Sequence, residues 1–185
     1  MKVKDVVVMA AGLLGMKKDV EGWLDSTTTL AKEKIAAFVD CFNLVENELA
    51  LDYVPLRTEE RVLAENGRVA FMYFTREPAR VLSVTDEDGN RLEYTVFPTE
   101  IRLRSAVNVA KVEYAFLPKA KKIDEESDYQ SRVSVGLMAY GVAAEYCAMQ
   151  GLYAEAAFWS KKYKEGIPRT HEPQRGGKIP SRSWV

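Results

Sequence analysis

Apolar side chains recur every three or four residues over the first third of the chain, which is the period of an α-helix. Gly15 follows the first stripe and is typical of a helix end, and Trp23 lies in the short helix or turn that we expect next. This first stripe is formed by Val3, Val7, Ala10 and Leu14.

A longer helix is predicted after the hydroxyl-rich residues 26–29, because a side-chain oxygen there can accept a hydrogen bond from a free N–H of the first turn. Pro55 marks the latest possible end of this helix. Its apolar stripe contains Ile35, Phe38, Phe42, Val45 and Leu49. Residues 2–54 are therefore predicted to be helical.

From about Leu56 the apolar period changes to two, which predicts strands. In "RVLAENGRVAFMYF" the Asn-Gly pair suits the positive φ angles of a hairpin turn, and "VLSVTDEDGNRLEYTV" predicts a second hairpin that turns at residues 86–90. In the last strand Tyr114 and its alternate neighbours face one way, whereas Lys111 and Glu113 face the other. We expect five or six short antiparallel strands within residues 56–118.

An acidic run at residues 124–128 precedes the next apolar stripe, and carboxylates there are expected to cap a helix N-terminus. Gly151 is predicted to separate this helix from a second one over residues 153–164, so that helices occupy residues 127–165. The stripe of the first of these helices contains Val133, Leu137, Tyr140, Ala144 and Cys147.

These elements together predict an α+β fold. It is a bundle of long helices with a small antiparallel β-sheet inserted between the N-terminal and the C-terminal helices. Residues 1–168 are expected to form a single domain, and residues 169–185 an extended basic C-terminal tail.

Composition restricts the class of protein but does not indicate a function. The 185 residues are 47% hydrophobic and 29% charged, as in folded domains, and the net charge of -1 gives no overall attraction for nucleic acid or membrane. We expect Cys41 and Cys147 to be small core residues. The apolar start of the chain is interrupted by Asp5 and is too short to cross a membrane, so we expect an uncleaved intracellular protein.

Residues suited to catalysis are scarce in the sequence. The single histidine, His171, lies in the tail, and no phosphate-binding loop or nucleophile motif occurs. The adjacent Glu59 and Glu60 would face opposite sides of a strand, which is unsuitable for shared acid–base work. We therefore expect no enzymatic activity, no metal and no cofactor, although carboxylates alone do not exclude an unrecognised enzyme.

Positive charge is concentrated at the C-terminus, where residues 161–185 carry seven basic and two acidic side chains. Trp184 lies one residue from the end of this segment. Three interpretations stay open: a solvated terminus, a nucleic-acid contact in which Trp184 stacks, and an arm that docks on a protein. The candidate partner-binding residues are Arg169, Arg175, Lys178, Arg182 and Trp184.

Taken in order, these elements resemble the head-to-tail connector proteins of tailed bacteriophages, also called adaptor or tail tubular proteins. The stretches "VKDVVVMAAGLLG" and "IAAFVDCFNLVENELALDYVPL" look like the first two helices of that family. "RVLSVTDEDGNRLEYTV", "VEYAFLP" and "GVAAEYCAMQGLYAEAAFWSKKYKEG" are similar to its sheet and C-terminal helices. The likeness spans most of the chain, but it consists of hydrophobic patterns and contains no catalytic signature.

The resemblance implies a structural virion protein, assembled in the bacterial cytoplasm, that forms a homo-oligomeric ring beneath the portal protein. Its partners would be the portal and a tail or stopper protein, DNA would pass through the ring without being read, and the C-terminal segment would embrace the portal. The alternative is a small nucleic-acid-binding module that acts through the basic tail. A helix-turn-helix around Gly151 is disfavoured, because its second helix exposes Tyr153 and Glu155 and few cations before Lys161.

Overall fold

A computed structural model describes residues 1–129 and 133–170, with the side chains of residues 169 and 170 left aside. Within these ranges the chain is a mixed α+β protein with five α-helices and six strands, which confirms the predicted fold class and strand number. The helices are α1 (Val3–Leu13), α2 (Lys17–Leu24), α3 (Thr29–Glu48), α4 (Val135–Met149) and α5 (Tyr153–Gly166). The strands are β1 (Leu56–Leu63), β2 (Arg68–Ala70), β3 (Pro78–Thr85), β4 (Tyr94–Val96), β5 (Glu100–Leu103) and β6 (Val109–Phe116).

Helix ends are set by the residues that the sequence singled out. Thr28 caps α3, since its side chain accepts a hydrogen bond from the Ala31 N–H, and a π-helical turn at Leu49–Tyr53 continues that helix toward Pro55. Gly15 and Gly151 end α1 and α4 with positive φ angles of 73° and 76°, a conformation that favours glycine.

The helices pack around α4, which is buried on most of its circumference. The ring of Phe38 on α3 stacks on that of Tyr146 on α4, with the centroids 4.0 Å apart. Further along, Val45 of α3 and Tyr163 of α5 approach each other over Gly141 of α4. Helices α3 and α5 therefore both run antiparallel to α4 and come together at this glycine.

The strands form two three-stranded antiparallel sheets, so the prediction of one small sheet is wrong. One sheet has the order β1-β6-β3 and the other the order β2-β5-β4. The chain does turn at Asn66 and Gly67, which both have positive φ, but only the bridge between Glu65 and Arg68 links the two arms. Strand β1 instead pairs over eight residues with β6, a ladder that the three-residue β2 cannot provide.

The second predicted hairpin diverges in the same way. Its turn is held by Asp86, whose backbone N–H donates to the Asn90 carbonyl, and one bridge joins Thr85 to Arg91. Beyond that bridge, β3 continues in the first sheet and β4 in the second. Both sheets share one apolar core around Val112 and Tyr114, and β6 ends at Phe116, whose ring also packs against the helical core.

The predicted start of the C-terminal helices at residue 127 is also wrong. Helix α4 begins at Val135, and Ser134 is its cap, because the Ser134 hydroxyl accepts from the Leu137 N–H at 3.1 Å. The acidic run does not cap this helix: Asp128 forms ion pairs with Lys121 and Arg76. These partners come from the preceding segment and from the sheet region, and they hold the carboxylate away from the helix start.

Residues 121–129 form an irregular segment, here called the strap, that crosses the start of α1 and the side of α3. The Val3 N–H donates to the Glu125 carbonyl at 3.0 Å, and the Ser127 N–H donates to the Met1 carbonyl at 2.9 Å. Asn43 of α3 clamps the strap by bonding both the N–H and the carbonyl of Lys121. The strap thereby fixes the N-terminus of the chain against the helical core.

Candidate interaction surfaces

The predicted partner-binding residues fall almost entirely beyond the described part of the chain. Arg169 lies in the short 3-10 turn Ile167–Thr170 that follows α5, and its side chain is not described. Arg175, Lys178, Arg182 and Trp184 lie outside the described residues, as does His171. The structure therefore brings none of these side chains together, and their role stays a prediction.

Helix α3 carries a second apolar stripe on the side that faces solvent. Leu30, Leu44 and Leu51 are 65%, 59% and 59% exposed, and the half-buried Ala37 lies between the first two. Leu30, Ala37 and Leu44 are spaced by seven, so they lie on one face of α3, whereas Leu51 lies beyond α3 in the π-helical turn Leu49–Tyr53. The row from Leu30 to Leu44 is about 21 Å long at the helical rise of 1.5 Å per residue.

Acidic side chains follow the same face of α3. Glu33, Asp40 and Glu48 alternate with Leu30, Ala37 and Leu44, and these six residues are called the acidic stripe below. Lys34 lies on the same face, and Asp40 lines a cavity together with Lys32, Lys121 and Lys122. Partial burial raises the pKa of Glu48, and the nearby carboxylate of Glu145 on α4 raises it further, whereas Lys164 on α5 opposes the shift. Glu48 is therefore a half-buried carboxylate with the Lys164 cation of α5 near it.

A second apolar surface lies along α5, where Tyr163 is the one buried residue of the helix. Tyr153 is 75% and Phe158 52% exposed. Between this helix, α4 and the end of α1 lies a groove of about 570 Å³. Its apolar lining includes Leu13, Leu14, Met16, Leu152, Phe158 and Trp159. The rim of the groove is basic on one side, because the Lys162 ammonium lies 5.8 Å from the centre of the Phe158 ring.

One carboxylate is fully buried, and it supports the strap. Glu46 of α3 accepts hydrogen bonds through Oε1 from the Ser127 hydroxyl at 2.6 Å and from the Asp128 N–H at 3.0 Å. Its Oε2 has no hydrogen-bond partner among the described residues. Burial raises the pKa of Glu46, although these two donors and Lys121 oppose the rise. Because the group is sealed from solvent, its position fits a structural role.

Metal-binding clusters and the two cysteines can be assessed in the described part of the chain. Within residues 1–129 and 133–170, no group of three or more His, Cys, Asp or Glu side chains is arranged to hold a metal ion. Cys41 and Cys147 are free and buried, as predicted, and burial raises the pKa of Cys41 to about 12. Such a thiol stays protonated at neutral pH and is a poor nucleophile.

In the part of the chain that is described, every helix is too short or too polar to cross a bilayer. The two exposed surfaces, on α3 and on α5, are the prominent features of the helical half.

Comparison with known proteins assigns no family: no family model matches the chain, and no curated protein matches it significantly.

Sequence reasoning missed the acidic stripe, although its signal is visible in the sequence. The buried stripe predicted for α3 includes Phe38, Phe42 and Val45, and the structure confirms it, but a helix can carry two apolar rows. The seven-residue spacing of Leu30, Ala37 and Leu44 is the signal that indicates the second row. Periodicity identifies such a row without telling whether it is buried, because both rows have nearly the same period.

Proposed function

We propose that this protein is a structural component of a tailed-phage virion, a head-to-tail connector that binds the portal and forms a ring continuing the DNA channel toward the tail. The observation that carries the proposal is the exposure of apolar side chains on α3 and α5. Contiguous apolar surface of this kind marks sites of protein contact, since exposed rows of large apolar side chains are disfavoured in water.

Assembly of a ring requires that each copy contact its neighbour through two different surfaces, because a head-to-tail contact repeats until it closes. The α5 face and the adjoining groove supply an apolar surface for such a contact. The basic tail is the segment assigned to the portal, in keeping with the resemblance to connectors.

The proposal is tested by mixing the full chain with purified phage portal rings and following complex formation by sedimentation and negative-stain microscopy. We expect ring-shaped density on the portal. The double variant Tyr153→Asp with Phe158→Asp should lose the ring, because two charges enter the apolar contact. Leu63→Asp is the matched control, since Leu63 on β1 is equally exposed at 61% but lies in the sheet region.

A chain that ends at Arg169 separates the two parts of the proposal. It should bind the portal much more weakly than the full chain; equal binding means that the tail has no portal-docking role. Failure of the full chain to bind any portal ring overturns the connector assignment. Binding to DNA that falls steeply with salt and requires Arg175, Lys178 and Arg182 would instead favour the nucleic-acid-binding alternative.

A further inference from the structure

A cavity of about 410 Å³ opens between α2, α3 and the strap, and it is called the α2–α3 cavity below. This volume lies within the usual range of small-molecule sites in proteins. The cavity is lined mainly by apolar side chains, with a few polar ones beside them. The large apolar residues of the lining are Trp23, Leu24, Ile35, Val39 and Ile123. Such a lining suits a ligand that is mostly apolar and has one polar end.

The walls of the α2–α3 cavity are held in place by contacts of their own. On the helical side, the large apolar residues of α2 and α3 also pack in the helical core. On the strap side, Asn43 bonds both the N–H and the carbonyl of Lys121. The Ile123 carbonyl also accepts a hydrogen bond from the Lys4 N–H at 3.1 Å. The cavity is therefore formed before a ligand binds, which reduces the conformational cost of binding.

One end of the cavity carries a positive charge without a partner. Lys32 lies near the start of α3, at the same end of the cavity as Ser26. Its side chain is exposed and forms no ion pair with any described residue. The acids next to these two residues in sequence, Asp25 and Glu33, do not line the cavity. The acid that does, Asp40, lies about 12 Å further along the helix axis.

The two strap cations of the lining, in contrast, have acids of the protein beside them. The Lys121 ammonium lies 3.0 Å from the Asp128 carboxylate, and this pair is mostly buried. Glu125 lies next to Lys122, because its carboxylate accepts a hydrogen bond from the Lys122 N–H at 2.8 Å. The Lys32 end is therefore the part of the lining that is best suited to an external anion.

We propose that the α2–α3 cavity binds a small amphipathic carboxylate, with its alkyl chain between Trp23 and Ile35 and its carboxylate at Lys32. Burial of the chain supplies most of the affinity, since each buried CH₂ group strengthens binding by about fourfold. The exposed ion pair with Lys32 contributes less and sets the orientation of the ligand. The proposal goes beyond the connector role and does not depend on it.

Titration with octanoate tests the proposal in the full chain at neutral pH, where the carboxyl group of this ligand is ionised. Binding is followed by the fluorescence of Trp23, which is obtained by subtracting the signal of a Trp23→Phe chain titrated in parallel. We expect one saturable site, with an affinity about fourfold higher per CH₂ group in octanoate than in hexanoate.

A cavity-filling variant locates the site. Ala36 lines the cavity and is exposed, so Ala36→Phe places a ring in it without disturbing the core. This variant should bind octanoate at least tenfold more weakly than the parent chain. Leu44→Phe is the matched control, because Leu44 is an exposed residue of α3 outside the lining, and it should bind octanoate as the parent chain does.

Charge reversal tests the orientation of the ligand. Lys32→Glu should weaken octanoate binding by about fivefold or more, whereas binding of octanol, which carries no charge, should not change. Lys34→Glu is the matched control, because Lys34 lies on the same helix but does not line the cavity. It should leave the affinity for both ligands unchanged.

Three results would overturn the proposal: no saturable binding of octanoate below its micelle-forming concentration, full affinity in Ala36→Phe, or equal effects of Lys32→Glu and Lys34→Glu. The first two exclude the cavity as the site, and the third excludes Lys32 as the partner of the carboxylate. Each of them leaves portal binding by the full chain unaffected, so they are distinct from a failure of the connector proposal.

Discussion

Gly141 is the position where the packing of α3, α4 and α5 is most sharply constrained, and Gly141→Ala tests it directly. A Cβ at this position would lie 2.7 Å and 3.0 Å from the two γ carbons of Val45 and 3.2 Å from Cε2 of Tyr163. Real side chains essentially never approach so closely, so Val45 or Tyr163 must move. Val45 has no easy escape, because rotation about χ1 in a helix exchanges one γ carbon for the other.

The expected magnitude combines two opposing effects. Alanine in a helix interior is more favourable than glycine by about 1 kcal/mol. Overpacking of a well-packed core costs about 1–3 kcal/mol, and the contact with three atoms on two buried residues places this site at the upper end. The net loss in unfolding free energy is therefore about 2 kcal/mol. For a chain of this size, that loss lowers the melting temperature by about 4–8 °C.

Urea unfolding followed by far-UV circular dichroism measures this difference, with Gly136→Ala as the matched control. Gly136 lies in the same helix, and the nearest atom to its added Cβ would be Met9 Cε at 3.8 Å, an ordinary contact. The control should be as stable as the parent chain or slightly more stable. A further variant, Gly141→Ala with Val45→Ala, removes the clashing methyl groups and should lose less stability than the sum of the single changes.

Unchanged or increased stability of Gly141→Ala would refute this description of the packing. It would mean that α3 and α5 do not converge on α4 at Gly141. The result matters for function, because the two exposed surfaces lie on these two helices and their relative placement depends on that convergence.

Three further predictions concern the strap and the helix ends. Because burial raises the folded-state pKa of Glu46, its ionisation costs stability as pH rises above the unfolded value of about 4.3. Glu46→Gln should therefore gain stability relative to the parent chain between pH 4 and 7 in urea titrations, and parallel pH profiles would contradict this. Thr28→Ala should lose about 1 kcal/mol through loss of the α3 cap, whereas the neighbouring Thr27→Ala should not, as thermal unfolding can show. Asn43→Ala should speed hydrogen exchange in the strap and the first turn of α1, since both hydrogen bonds to Lys121 are lost; unchanged exchange there would exclude the clamp.

Helices were predictable because their signals are local. The stripe of α3, the Thr28 cap and the glycines at 15 and 151 each act within a few residues of their own position. Sheet pairing was not predictable in this way, because β1 pairs with β6 across more than forty intervening residues. The turn at Asn66 does not indicate which strand pairs with β1. A hairpin turn fixes the chain reversal, whereas the pairing of long strands is decided by which partner completes the ladder and buries Val62.

Predictions about the candidate surfaces also succeed where they depend on neighbouring residues and fail where they depend on distant parts of the chain. The acidic run at residues 124–128 has the composition of a helix cap, and it failed as one because Lys121 and Arg76 compete for Asp128. Arg76 comes from the loop between the two sheets, so the competition depends on the fold. The apolar row of the acidic stripe, in contrast, is visible in the seven-residue spacing of Leu30, Ala37 and Leu44, but its exposure depends on how α4 and α5 cover α3.

The distribution of charge over the two exposed surfaces restricts how copies of this chain can meet. If two acidic stripes faced each other around a two-fold axis, Asp40 and Glu48 of each copy would meet like charges, which is unfavourable in a partly buried contact. The α5 surface instead carries Lys162 beside its exposed Phe158, whereas Lys161 is paired with Glu165 on the same helix. A contact that joins apolar surfaces without opposing like charges therefore uses different surfaces on the two copies. A contact of that kind is head to tail when each copy offers α3 to one neighbour and α5 to another, and it then closes into a ring if the rotation allows, which is the arrangement that the proposed connector requires.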